Sequence, residues 1–293
     1  MLLLFIILPF EFLLLKEMLT QPNTRKVYVR KVRAGVARSE RDVLAVEEPL
    51  ELRLMHRGVT HRVAVTMRTP GEDFEMVAGF LFCEGIIQKH GDVREIRYCI
   101  DSPQQLYNIV TVELRDEIDF DPTRLQRNFF TTSACGICGK VSLESLEMQG
   151  CVPLPLTQPV VPISLITGLD AELRRAQQVF SKTGGLHAAA LFDLDGQLQG
   201  LHEDVGRHNA LDKLIGSRFM AGQLPVSQQV LMLSGRTSFE LMQKSLMAQI
   251  PIIVSVGAPS SLAVELAQNF NITLIGFLRG DSFNIYAGPE RVK

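Results

Sequence analysis

A chain of 293 residues with 46% hydrophobic and 21% charged residues can build one large core or two modest ones, and is too apolar to be disordered. A formal net charge of -2 gives no bulk attraction to nucleic acid or acidic lipid, so neither is expected as a partner and any anion site must be built locally. Five cysteines, an odd number without disulfide-rich spacing, point to a reducing compartment.

Met1 to Leu15 is strongly apolar, yet it lacks a basic leader and a small-x-small cleavage site before Lys16. Pro9 and Glu11 break it, and it falls short of the roughly 20 residues that span a bilayer. Residues 1–17 therefore read as an extension outside the fold, with Met18 as the expected start and no stable membrane association.

From Lys26 to Met67 apolar and polar residues alternate. Val27 to Val32, Leu50 to Met55 and His61 to Met67 read as antiparallel strands. Thr69-Pro70-Gly71-Glu72-Asp73 opens a helix with Phe74, Val77, Ala78, Leu81 and Phe82 on one face, ending near Glu84-Gly85 with Cys83 packed inside. Strands around Val93 to Ile100 and Leu106 to Leu114 follow, so residues 18–152 read as a smaller α+β part.

Pro153 to Pro162 is an extended connection into residues 153–293. There Ile163 to Phe180 has helical periodicity, closed by Lys182-Thr183-Gly184-Gly185. After His187 to Phe192 and a turn at Asp195-Gly196 the order becomes regular: helix Arg207–Phe219, strand Gln229–Leu233, helix Thr237–Ala248, strand Ile252–Val256, helix Ser260–Asn269, strand Thr273–Phe277. Such alternation predicts an α/β part with a mainly parallel sheet covered by helices.

Thr131-Thr-Ser-Ala-Cys135-Gly-Ile-Cys138-Gly-Lys140 closes the first part and leads into an expected helix, Val141 to Met148. Two thiols at this spacing, beside a cation and a helix start, are placed to be thiolates. The same pair also fits half a zinc site or two ordinary buried thiols. Cys83, Cys99 and Cys151 stand alone, so a closed zinc site would have to recruit His202 and His208. Acceptor chemistry fits the pair: an activated cysteine attacks a sulfane sulfur, holds it as a persulfide and hands it on while its partner stands close.

Ligands of open α/β sheets bind beyond the carboxyl ends of the strands. Three of those ends read Ser234-Gly235-Arg236-Thr237-Ser238, Gly257-Ala258-Pro259-Ser260-Ser261 and Phe277-Leu278-Arg279-Gly280-Asp281-Ser282. Backbone N–H groups and guanidinium forks there suit an anionic, nucleotide-like ligand, although each serine or threonine taken singly also reads as a helix cap. The segment Leu201 to Lys213 adds a polar cluster in which Asp204, Arg207 and His208 can orient a ligand or one another, and His187 reads as a hydrogen-bonded structural residue.

These stretches resemble the FdhD family, the formate dehydrogenase accessory sulfurtransferases. The resemblance rests on the cysteine stretch, Thr183-Gly-Gly-Leu-His-Ala-Ala, Glu203-Asp-Val-Gly-Arg-His-Asn-Ala-Leu-Asp-Lys213, Ser234-Gly-Arg-Thr-Ser-Phe-Glu240 and Gly276-Phe-Leu-Arg-Gly280, and runs from about Val27 to Ala287. It implies a cytidine-deaminase-like mixed sheet flanked by helices, in a cytoplasmic homodimer. It also implies transfer of sulfur from a cysteine desulfurase to the molybdenum cofactor, in its bis-molybdopterin guanine dinucleotide form, which activates formate dehydrogenase. The family's persulfide carrier matches Cys135 and its second cysteine Cys138; its cofactor-binding segment matches Phe277, Leu278, Arg279, Gly280, Asp281 and Ser282. No permanent metal is expected. Deamination is not expected either, because Ala188, Ala189 and Ala190 follow His187 where a deaminase needs its general acid/base glutamate. The rival readings are a non-catalytic cofactor carrier with structural cysteines and a zinc protein.

Overall fold

The computed structural model describes residues 21–99, 107–121 and 151–293. Three sheets result. Strands β1 (Thr24–Arg33) and β2 (Val36–Ala45) pair as a ribbon through a two-residue turn at Ala34 and Gly35, both at positive φ. Such a turn matches the right-handed strand twist.

The second sheet has the order β4-β3-β6-β5, from β3 (Glu48–His56), β4 (Val59–Arg68), β5 (Val93–Tyr98) and β6 (Ile109–Leu114). Leu50, Leu52 and Leu54 of β3 alternate inward onto helix α1 (Asp73–Cys83), while Arg94, Arg97, Glu95 and Glu113 lace the outer face with ion pairs. Exposed pairs of that kind add little stability, so the sheet is held by its inner face.

The third sheet has the order β12-β11-β10-β9-β7-β8. Its centre is parallel: β9 (Val230–Leu233), β10 (Ile252–Ser255) and β11 (Thr273–Arg279). Antiparallel β7 (His187–Phe192), β8 (Leu198–Asp204) and β12 (Ser282–Ala287) flank it. Helix α2 (Ile163–Ala176) presents Ile166, Leu169 and Leu173 to the face carrying Val230, Met232, Ile252 and Val254. The opposite face, with Leu231, Leu233 and Ile253, is covered by α4 (Arg207–Met220), α5 (Phe239–Met247) and α6 (Ser261–Asn269). Burial on both sides explains why β9 and β10 are apolar without alternation.

Helices α1 and α4 cross at their glycines. A Cβ at Gly79 would lie 2.0 Å from the Asp212 carbonyl oxygen, and one at Gly216 1.7 Å from that of Glu75. Only hydrogen fits at either place, and the backbones touch as two small-residue helix faces do. This crossing joins the second sheet and the third through one continuous apolar core.

The structure differs from the sequence reading in several places. The third sheet, expected to be mainly parallel, has two parallel pairings and three antiparallel ones, because hairpins add β8 and β12 at its edges and β7 runs against β9. Strands β2 and β12 were not anticipated, and the helix expected over Ile163 to Phe180 ends at Ala176, with a separate turn of helix, α3 (Phe180–Thr183), after it. The Glu203 carboxylate accepts the N–H groups of Val179 and Phe180 at 2.8 Å, which satisfies the start of that turn and separates it from α2. Among the described residues no helix is long and apolar enough to cross a membrane.

Candidate functional site

Strands β9, β10 and β11 are neighbours and parallel, so their carboxyl ends put the three singled-out loops side by side. The loops are tied to one another. Gly257 N–H donates to Gly235 O (3.2 Å), Phe277 N–H to Gly257 O (3.1 Å), Thr237 N–H to Ala258 O (3.2 Å) and Ser260 N–H to Thr237 O (3.0 Å). Several backbone donors that a phosphate could take are thus used within the fold. Glycine is needed at Gly257, where a Cβ would meet the Arg236 backbone at 2.8 Å, and at Gly276, where it would meet Pro259 Cδ at 3.0 Å.

Side chains carry what recognition remains. Arg236 and Arg279 are exposed, and neither guanidinium pairs with a described residue. Phe277 is also exposed, at positive φ, with Gly280 at φ +59. The segment Phe277 to Ser282 was expected as a loop after the strand. It is instead the tip of a hairpin, because β11 continues to Arg279 and β12 begins at Ser282. Leu278 points into the core and is fully buried, so any role it has at a ligand is through its backbone. Ser260 is a helix cap, its Oγ accepting Ala263 N–H at 3.2 Å. Buried Thr237 Oγ1 has no hydrogen-bond partner among the described residues.

Beside these loops lies a cavity of about 430 Å³ lined by Asp170, Gln177, Phe180, Gly184, His187 and Ser234, among others. Ser234 Oγ is held by Ala188 N–H at 2.8 Å. Gln177 is buried, and its Nε2 has no described partner, an unused donor in the cavity wall. His187 was expected to be hydrogen-bonded and structural; it lines this cavity, with its Nδ1 only 3.0 Å from where a Cβ on Gly235 would stand. Burial first, then the charges of Arg207 and His208, hold its imidazolium below the ordinary histidine range.

The cluster from Leu201 to Lys213 divides in two. Asp204 is fully buried and accepts from Thr69 N–H (3.0 Å), Gly206 N–H (2.8 Å), Asn209 Nδ2 (2.9 Å) and Lys213 Nζ (2.8 Å). Asn209 also donates to Met67 O (2.8 Å) and Lys213 to Thr69 O (2.9 Å), so Asp204, Asn209 and Lys213 fasten α4 to the end of β4. Arg207 and His208 face the loops. His208 Nε2 lies 3.2 Å from Ser238 Oγ and 3.6 Å from Glu240 Oε2. Since one nitrogen serves both, no serine–histidine–acid relay is formed. The close approach of the His208 ring is the main cause that brings the Glu240 carboxyl down to about 2. His208 and Glu240 line a second cavity, of about 340 Å³, between α1 and α5.

Cys135, Cys138, Lys140 and the helix expected over Val141 to Met148 lie outside the described residues. The described residues before them stop at Asp121, beside Gly85 to Lys89, and take up again at Cys151, whose Sγ lies 3.4 Å from Met247 Sδ. Among the described residues no cluster of three or more His, Cys, Asp and Glu groups is arranged for a metal ion, and His202 Nδ1 lies 2.9 Å from Glu72. Gln177 and Phe180 were missed from the sequence; a glutamine near a helix end and a phenylalanine on an amphipathic stretch carry no signal that separates a cavity wall from a core.

The model of the FdhD/NarQ family matches residues 45–293. A sulfur carrier protein FdhD from Streptomyces coelicolor is 47% identical over 92% of this chain and 95% of its own length. Those from Mycobacterium tuberculosis and Sulfolobus acidocaldarius are 45% and 42% identical over 90% and 92% of this chain, and 96% and 98% of their own lengths. A solved structure from Desulfotalea psychrophila, assigned as a formate dehydrogenase accessory protein, superposes with a TM-score of 0.71 at 28% identity, over 93% of this chain and all of that one. With the family model covering both sheets that carry the core and all three strand-end loops, the chain belongs to the FdhD/NarQ family.

Proposed function

We propose that this protein is a sulfur carrier serving formate dehydrogenase, which holds sulfur as a persulfide on Cys135 and delivers it to a molybdenum cofactor bound as substrate at the ends of β9, β10 and β11. The observation that carries the reading is the row of three adjoining strand ends, with two unpaired arginines, beside a cavity that has an unused buried donor. The names of the relatives supply the sulfur and the formate dehydrogenase.

In this reading the Cys135 thiolate attacks the terminal sulfur of a cysteine desulfurase's persulfide. The donor's cysteine leaves as a thiolate, and Cys135 retains the sulfane sulfur. Cys138 assists transfer or release, and Lys140 with a helix amino end lowers the thiol pKa. Cys135 is fourteen residue steps beyond Asp121, enough to span at most about 48 Å, so chain length does not keep the sulfur from the strand ends. Arg279 and Arg236 meet the phosphates of the guanine dinucleotide cofactor, with Phe277, Gly280, Asp281, Ser282 and the Leu278 backbone around them. The carrier works in the cytoplasm as a homodimer.

Calorimetric titration with guanosine diphosphate, the cofactor's nucleotide half, tests the site. Arg279→Ala and Arg236→Ala should each weaken binding about tenfold or more, the loss expected for a charge-assisted phosphate contact. Cys135→Ala should bind as the wild type does. Unchanged affinity in both arginine variants would contradict this placement, and binding lost equally in Cys135→Ala would contradict the division between sulfur and cofactor.

A further inference from the structure

The ribbon of β1 and β2 is the most strongly charged and least covered part of the described chain. Its strands pair over ten residues each, a length of about 34 Å, and every residue from Arg30 to Asp42 is exposed. Residues 24–45 hold seven cations (Arg25, Lys26, Arg30, Lys31, Arg33, Arg38 and Arg41) against two acids, Glu40 and Asp42. The rest of the chain holds 23 cations against 30 acids. The ribbon and the body thus carry opposite charge.

Apolar side chains alternate with the cations. Tyr28 is 73% exposed, Val32 64% and Val36 57%. Arg41 stacks on the Tyr28 ring, 5.6 Å from its centroid, and its Nε donates to the Tyr28 hydroxyl at 3.1 Å. A two-stranded ribbon with no third layer is marginally stable in water, and one that leaves tyrosine and valine bare on it lacks a covering surface. The root is fixed: Ala45 Cβ lies 3.9 Å from a Cβ position on Gly185, on the rim of the 430 Å³ cavity.

We infer that the ribbon is an arm by which one copy of this chain grips the acidic body of a second. The inference rests on the homodimer of the proposed function and names its surface. A second copy is favoured over nucleic acid because a long polyanion would run past the ribbon onto a body of like charge, whereas a folded acidic partner need meet only the arm. Direct pairing of two β1 edges is disfavoured by the lysines and arginines that line them. Each copy offers both an arm and an acidic body, so two copies that exchange arms reciprocally close as a two-fold dimer.

Sedimentation equilibrium of the full chain at about 0.1 M and 1 M salt tests this, with wild type compared with a variant carrying Arg30→Glu, Lys31→Glu, Arg33→Glu and Arg38→Glu and with Tyr28→Ser. The wild type should be a dimer that weakens at high salt, where screening shortens to about 3 Å. The four-charge variant should dissociate about tenfold or more readily at low salt, and Tyr28→Ser should weaken the dimer at both salts. Circular dichroism and melting should match the wild type, because these residues lie outside both apolar cores. A dimer unchanged in both variants would overturn the arm while leaving the homodimer. A wild-type monomer at every concentration would overturn both, and nuclease-sensitive absorbance co-eluting with the wild type and lost in the charge variant would assign the ribbon to nucleic acid.

Discussion

His187 stands in the cavity wall, where burial first and then the nearby Arg207 charge push its pKa below the ordinary histidine value. Because its folded pKa is depressed, the stability tied to the neutral ring is fully present above the ordinary histidine value near 6.5 and is lost as pH falls through the lowered one. A bound anion reverses the local balance and favours the imidazolium. Pyrophosphate affinity should therefore rise as pH falls from 8 to 6, by up to about tenfold per pH unit for one proton taken up. His187→Gln should flatten that slope in a titration at several pH values; an equal slope in the variant would remove His187 from the anion site. The neighbouring motif shows why residue roles were only partly legible. Asp204 was read with Arg207 and His208 as able to orient a ligand, yet Asp204 accepts Thr69 N–H, and its neighbours Asn209 and Lys213 donate to Met67 and Thr69, far away along the chain. Spacing within a motif cannot reveal a partner more than a hundred residues away.

Helices α1 and α4 owe their packing to two glycines that helix propensity alone would count as faults. On propensity, Gly→Ala in a helix interior should stabilise by about 1 kcal/mol. Here Gly216→Ala drives a methyl into the Glu75 carbonyl, and overpacking should outweigh propensity, costing about 3 kcal/mol or more. Urea denaturation decides between them: a variant as stable as the wild type would mean that the helices part easily. Period-two strands and the strand–helix alternation after Arg207 were legible because burial imposes those periods. The β2 strand was not, since Arg38-Ser39-Glu40-Arg41-Asp42 has no apolar face to give it away. Nor was β12, whose Phe283 and Ile285 alternate properly but follow Gly280-Asp281, read as an open loop. Likewise the bend after Ala176 comes from Glu203 reaching across from β8, a tertiary contact that the amphipathic pattern of α2 does not contain.

At the scale of the whole molecule, the described chain resumes after Cys135 and Cys138 at a point away from the strand-end loops. Cys151 meets Met247 at the last turn of α5, and the adjoining Ala248 accepts Val226 N–H, leading into β9 at its amino end. The loops lie at the other end of α5, about 13 Å away along nine helical residues. Fold class was readable in the chain because the two parts carry different periodicities, while the joining of their cores through α1 and α4 was not, since it depends on two glycines 137 residues apart. The central claim is that Cys135 is the sulfur carrier, and intact mass measures it directly. After incubation with a cysteine desulfurase and cysteine, the wild type should gain one sulfur atom that reductant removes, and Cys135→Ala should gain none. No gain by the wild type with an active desulfurase, or an equal gain by the variant, would contradict it.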